Sequence, residues 1–140
     1  MPQVTDYLHR QTITAGPDTL VSRAAELFEE HGIKHLPVCD EEGRVVGVFS
    51  AADLRSLQHQ FTKFDTEESR KYNARIGDSF LLSDVMTENV KTVMPTTDLK
   101  EAAAIFLDNS FHSLCVVEPD DSGKLVGIIT VMDLVRAAYQ

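Results

Sequence analysis

The sequence predicts an α+β protein, sandwich-like, in which two small sheets with flanking helices are related by a pseudo-twofold axis. Three observations predict it. An eight-residue pattern occurs twice: Gly47–Leu54 reads Gly-Val-Phe-Ser-Ala-Ala-Asp-Leu and Gly127–Leu134 reads Gly-Ile-Ile-Thr-Val-Met-Asp-Leu. The residues ahead of each copy also match, because Pro95, Leu99, Ala102, Ala103 and Phe106 stand 78 positions (95 − 17) after Pro17, Val21, Ala24, Ala25 and Phe28. Finally, 140 residues with 43% apolar content suit one compact body, whereas a half of about 60 residues buries its apolar face poorly alone. An internal repeat is an architectural signal and takes precedence over local assignments.

The elements follow in order. Residues 1–13 read as a polar lead-in wrapping the surface, with Val4, Tyr7 and Leu8 packing a short helical turn. Pro17-Asp18-Thr19 marks a helix start, with Asp18 or Thr19 as the acceptor for an orphan N–H. Val21, Ala24, Ala25 and Phe28 then share one helical face, and Gly32 ends the helix in a left-handed cap. His35 to Cys39 reads as a strand, Asp40-Glu41-Glu42-Gly43 as a turn, Val45 to Phe49 as a second strand and Ser50 to Gln58 as a second helix. The second repeat has the same plan, with Phe111, Leu114 and Val116 in the places of Ile33, Leu36 and Val38. Its turn is two residues longer, so Gly127 follows Gly47 by 80 (127 − 47). Upstream, Asp84 and Thr92 correspond to Asp6 and Thr14. The expected boundaries are 1–58 for the first repeat, 59–80 for a connector and 81–140 for the second repeat, all in one module. In the connector, Asp65-Thr66-Glu67-Glu68 reads as the start of an exposed helix with acids at its positive end, and Arg70, Lys71 and Arg75 fit its later turns. Phe61, Phe64, Tyr72 and Phe80 are aromatic enough to cover part of a core or an oligomer surface.

Composition removes several function classes. The formal net charge is −9, from 13 Lys+Arg against 22 Asp+Glu. That works against nucleic acid or an anionic membrane as a partner, since both need a basic footprint. No apolar run is long enough to span a bilayer, and the opening residues lack a signal pattern. A cytoplasmic location is expected. Cys39 and Cys115 sit in apolar runs and read as buried free thiols. No Cys/His cluster has zinc-ligand spacing, so no metal site is expected. There is no phosphate loop of the Gly-x-x-x-x-Gly-Lys-[Ser/Thr] kind and no nucleophile with a recognisable base partner, so no catalytic residue is assigned and an enzyme is not expected.

The repeated motif supports two local readings. Ser50-x-x-Asp53 and Thr130-x-x-Asp133 have the spacing of a capping box, with a hydroxyl at the N-cap and an acid three residues on. The same hydroxyls and helix N-termini are good donors to phosphate, and the carboxylates are good acceptors for sugar hydroxyls. Gly47 and Gly127 would let a ligand approach the strand closely.

Taken together, the helix face ending at Gly32 or Ser110, the strand Ile33-Lys34-His35-Leu36-Pro37-Val38, the Gly-bearing turn and the twice-used Gly-x-x-[Ser/Thr]-x-x-Asp-Leu run resemble a tandem pair of CBS domains, a Bateman module. The likeness covers nearly the whole chain except the connector. The long connector also gives a looser likeness to the stand-alone CBS proteins of the acetoin-utilisation type. The resemblance implies adenosine-type ligands (AMP, ADP, ATP or S-adenosylmethionine) in clefts between the repeats, as regulatory ligand rather than catalytic cofactor, with or without Mg. It implies that Asp53 and Asp133 accept from ribose. It implies that Ser50, Thr130, Lys34, His35 and His112 face phosphate, although Lys34 and His112 equally suit exposed strand-edge positions and His35 suits such a position slightly better. Thr14 and Thr92 match positions that touch adenine in the family, while Ile33, Pro37 and Phe111 belong to apolar strand runs that offer walls for the base, most of whose residues strand alternation assigns to the core. Two departures weaken the symmetry: Cys115 stands where Pro37 does, and Ser113 where His35 does. His9, His31 and His59 carry no motif and default to the surface. The implied function is a sensor that passes on ligand occupancy as a shape change. It would pair into a homodimer through the helices of Leu54 and of Leu134, Val135, Ala137, Ala138 and Tyr139, and act on a regulated protein that the sequence does not identify. The alternative is a structural dimerisation module with degenerate ligand sites.

Overall fold

A computed structural model describes residues 2–10, 13–61, 67, 71, 75–88, 90–109 and 111–139. After a 3-10 turn at Val4–Asp6, the elements are α1 (Val21–His31), β1 (His35–Cys39), β2 (Val45–Ser50), α2 (Ala51–Phe61), α3 (Leu82–Val85), β3 (Thr92–Val93), α4 (Leu99–Asp108), β4 (Ser113–Val117), β5 (Leu125–Thr130) and α5 (Val131–Tyr139). Strands β1 and β2 form one sheet, and β3-β4-β5 form another. The mixed class and the twice-used helix-strand-strand-helix order are those expected. The chain divides into two compact units: Ile13–Asp40 with Val46–Glu88, and Met1–Thr12 with Glu41–Val45 and Asn89–Gln140.

In the unit built on the first repeat, α1 buries Val21, Ala24, Leu27 and Phe28. These pack with Leu36 and Val38 of β1, Phe49 of β2 and Leu82 of α3, and the Phe28 and Phe49 rings stack at 6.1 Å. Gly32 takes φ 61°, the left-handed cap expected. The start of α1 differs from the expectation. Thr19 Oγ1 accepts from the Gly16 N–H at 3.1 Å, closing the proline turn on itself. The helix therefore begins later, with Leu20 at the N-cap, and its Val21 N–H donates to the Phe80 carbonyl at 3.0 Å. A tertiary backbone partner replaces the side-chain cap.

In the unit built on the second repeat, β3 runs parallel to β4 and β4 antiparallel to β5, with Ser113 opposite Thr130. Helix α4 is capped by Asp98, whose carboxylate accepts from the Lys100 N–H at 2.9 Å. The core holds Val93, Leu99, Ala102, Phe106, Leu114, Val116 and Ile129, and it also holds Val4. Residues 1–13 were expected to wrap the surface. The expected turn forms, but Val4 is fully buried. The Val4 N–H donates to the Thr97 carbonyl at 2.8 Å, and the Leu99 N–H donates to the Pro2 carbonyl at 3.1 Å. The turn docks because an apolar side chain and an otherwise unpaired helix N–H are both satisfied in one place.

The lead-in turns thus pack crosswise. Val4, ahead of the first repeat, lies in the core of the second, and Leu82, ahead of the second, lies in the core of the first. In the connector, Asp65, Thr66, Glu68, Arg70, Phe64, Tyr72 and the Phe61 side chain lie outside the described residues. Glu67, Lys71 and Arg75 are exposed, Ile76 is buried, and Phe80 packs against the first core.

Candidate functional site

The two motif copies sit where β2 runs directly into α2 and β5 into α5. At such a junction the first helical N–H groups lose their sheet partners and have no intrahelical ones. The capping box supplies them. The Ser50 N–H donates to Asp53 Oδ2 at 2.9 Å, and the Asp53 N–H donates to Ser50 Oγ at 3.0 Å. The Thr130 N–H and Oγ1 donate to Asp133 Oδ2 at 2.8 and 3.0 Å, and the Asp133 N–H donates to Thr130 Oγ1 at 3.3 Å. The capping reading of these residues is therefore correct, whatever else they bind.

The next N–H in each helix is met by the chain just before the preceding strand. The Ala51 N–H donates to the Lys34 carbonyl at 2.9 Å, and the Val131 N–H donates to the His112 carbonyl at 3.2 Å. Both Lys34 and His112 are exposed. Each motif thus has a basic residue whose backbone is fastened to the positive end of a helix. A cation there opposes the helix dipole unless an anion accompanies it.

The remaining candidates fall around these junctions. Thr14 is exposed beside β1, because the neighbouring Ala15 exchanges backbone bonds with it: Ala15 N–H to the Pro37 carbonyl at 3.1 Å and Cys39 N–H to the Ala15 carbonyl at 2.8 Å. Thr92 is exposed in the equivalent place opposite Cys115 of β4. Ile33 and Phe111 are half-buried against the cores of their units. His35 opens β1 half-buried, whereas Pro37 lies in the fully buried run of that strand. One unit thus carries Thr14, Ile33, Lys34, His35, Pro37, Ser50 and Asp53, and the other carries Thr92, Phe111, His112, Thr130 and Asp133.

The close approach allowed by the glycines is made by the chain itself. At Gly127 an added Cβ would overlap the His9 carbonyl oxygen and lie 2.7 Å from Leu8 Cδ1; at Gly47 it would lie 2.5 Å from Met86 Sδ and 3.0 Å from the Thr87 carbonyl oxygen. Reciprocal backbone bonds of 2.8–2.9 Å join His9 to Ile128, and bonds of 3.0 Å join Thr87 to Val48. The lead-ins, not a ligand, occupy that space.

The two carboxylates differ sharply. Asp133 is 2% exposed, and its Oδ1 accepts from His9 Nε2 at 2.7 Å and from an Arg136 guanidinium nitrogen at 2.6 Å. Asp53 is half-buried. Its only hydrogen bonds among the described residues are those of its capping box, which leaves Oδ1 open. The repeat equivalents of His9 and Arg136 are Thr87 (87 − 9 = 78) and Ser56 (136 − 56 = 80), and neither hydrogen-bonds Asp53. His9 is at the surface, as expected, but its ring reaches Asp133, and Arg136 joins it there without any motif to mark it. The available signal was the repeat offset, which aligns a histidine with a threonine and an arginine with a serine.

Among the described residues, no group of three or more His, Cys, Asp and Glu is placed to hold a metal ion, and no helix is long and apolar enough to cross a membrane.

Comparison with known proteins gives the family. The model of the CBS domain matches twice, over residues 4–59 and 82–140. The chain is 37% identical over 138 residues to the CBS domain-containing protein CBSX1, chloroplastic, of Arabidopsis thaliana, covering 89% of this chain and 58% of that one. It therefore spans somewhat over half the length of that curated relative. The structure of CBSX2 in complex with AMP superposes with a TM-score of 0.78 at 33% identity, over 99% of this chain and 97% of that one. The CBS domain pair of protein MJ0100, in complex with 5′-methylthioadenosine and S-adenosyl-L-methionine, gives 0.76 at 27% identity, over 99% and 96%. An acetoin utilization protein (AcuB) of Vibrio cholerae gives 0.75 at 29% identity, over 99% and 90%. With both repeats matched and the expected architecture in place, the chain belongs to the CBS-domain family.

Proposed function

We propose that this chain is a regulatory module that binds an adenine nucleotide (AMP, ADP, ATP or S-adenosylmethionine) and signals occupancy by a change of conformation. The observation that carries it is the twice-built junction, in which a carboxylate and a hydroxyl frame a helix N-terminus with a basic residue fastened beside it. The likeness to CBSX2, crystallised with AMP, supports the same reading. In this reading a motif carboxylate, Asp53 or Asp133, accepts from ribose at one site at least, since one carboxylate can accept from both the 2′- and 3′-hydroxyls. Ser50, Thr130, Lys34, His35 and His112 serve phosphate, where the helix dipole and a cation favour negative charge. Thr14, Thr92, Ile33 and Phe111 contribute the base contacts, with Pro37 buried behind them. Nothing in this chemistry requires turnover, so the role is binding rather than catalysis. Mg would enter only with a polyphosphate ligand.

Signalling requires that ligand bind one arrangement more tightly than the other. We further propose a homodimer, cytoplasmic in location, that acts on a separate protein. Its surface is the exposed apolar face of α5, formed by Val131, Met132, Val135 and Tyr139.

A thermal melt against AMP, ADP, ATP, S-adenosylmethionine and adenosine, with GTP as control, tests the reading. A ligand at about 100 times its Kd adds roughly 2.7 kcal/mol of apparent stability. A rise with an adenine ligand and none with GTP is the expected outcome. No rise with any of them at millimolar concentration favours the second reading, a structural dimerisation module. One observation favours that alternative: Ser50, Asp53, Thr130 and Asp133 all have capping-box partners without any ligand.

A further inference from the structure

We propose that the two motif copies are unequal binders. Asp53 takes the nucleoside, while Asp133 is held shut by two residues of its own chain, His9 and Arg136, so the chain binds one nucleoside where its repeat suggests two. This rests on the adenine-nucleotide reading above.

An ionised carboxylate offers about four acceptor positions. At Asp133 they are taken by the Thr130 N–H and Oγ1 on Oδ2, and by His9 and Arg136 on Oδ1. With Asp133 only 2% exposed, no acceptor position is left for ribose. At Asp53 the same box is made, and Oδ1 accepts nothing among the described residues. The cause lies in two substitutions between the repeats. His9 and Arg136 supply donors that Thr87 and Ser56 do not.

The closure is anchored. His9 is joined to Ile128 of β5 by backbone bonds in both directions, 2.9 and 2.8 Å, and Gly127 alongside has no side chain to keep it away. Val4, five residues earlier, is fully buried in the same unit. The imidazole is therefore delivered by a docked segment rather than by a free side chain. Neutral ribose hydroxyls would have to displace an arginine and a histidine, and hydrogen bonds to charged groups are the stronger kind. The lead-in acts as a latch on the second motif.

Equilibrium dialysis with AMP as the probe, reading moles bound per mole of chain, tests the latch. The wild type should bind one AMP, and Asp53→Ala should weaken that binding about tenfold or more. The double variant His9→Thr/Arg136→Ser, which installs the first repeat's residues, should bind a second AMP, and adding Asp133→Ala to it should remove the gain. Two AMP bound by the wild type, AMP retained by Asp53→Ala, or a folded double variant still at one would each overturn the closure while leaving the nucleotide reading intact. No AMP bound by any of these proteins would sink the nucleotide reading itself, and the closure with it. If the double variant does not fold, the wild-type stoichiometry and the Asp53→Ala result decide.

Discussion

A methyl group at Gly127 would overlap the His9 carbonyl oxygen, whereas at Gly47 its nearest neighbour is the end of the flexible Met86 side chain. That oxygen accepts from the Ile128 N–H, and the His9 N–H is bonded back to the Ile128 carbonyl, so it cannot retreat as a thioether can. Gly127→Ala should therefore cost about 1–3 kcal/mol, the usual range for overpacking, and lower Tm by roughly 3–10 °C. Gly47→Ala should cost clearly less. A calorimetric melt in which the two variants fall equally would contradict the difference. Residue-scale chemistry also protects Cys39. Burial, then the neighbouring Asp40, raises its thiol pKa, so the reactive thiolate is scarce at neutral pH. Alkylation of the folded protein at pH 7.5 should be slow at Cys39 and speed up on adding denaturant. Rapid labelling of the folded chain would show that the strand opens readily.

At the scale of elements, the crosswise lead-ins matter most. Val4 and Leu82 are fully buried in cores made largely of residues far from them in sequence. Val4→Ala should cost about 1–3 kcal/mol and Leu82→Ala about 2–5 kcal/mol. Both should show as lower urea midpoints. Unchanged midpoints would mean the lead-ins are ornamental. The helices and strands themselves were legible in the sequence, because an apolar face repeats every three or four residues and a half-buried strand alternates. The start of α1 was less so. Pro17-Asp18-Thr19 carries a helix-start signal, but Thr19 spends its hydroxyl on Gly16 and the helix begins later. Local signals compete there, and the Phe80 carbonyl decides between them.

At the scale of the whole molecule, a net charge of −9 sits beside an exposed apolar face on α5. Val131, Met132, Val135 and Tyr139 are 36%, 57%, 42% and 87% exposed along one side of that helix. If the proposed dimer forms through this face, replacing Met132 and Val135 together with glutamate should convert it to a monomer in light scattering, with little loss of Tm because neither side chain is buried. A dimer that persists in this variant would place the contact elsewhere.

The sequence by itself determined what is local or periodic: the repeat, the order of helices and strands, the capping boxes at Ser50–Asp53 and Thr130–Asp133, and the family these imply. Only the tertiary structure decided which segment meets which. His9 and Asp133 are separated by 124 positions, and periodicity specifies that a face is apolar without naming what covers it. The motif carboxylates look alike in sequence because their capping partners lie three residues away. They differ in the fold because the remaining oxygen of Asp133 is taken by Arg136 one turn on and by His9, which packing brings to it, while that of Asp53 is left open among the described residues.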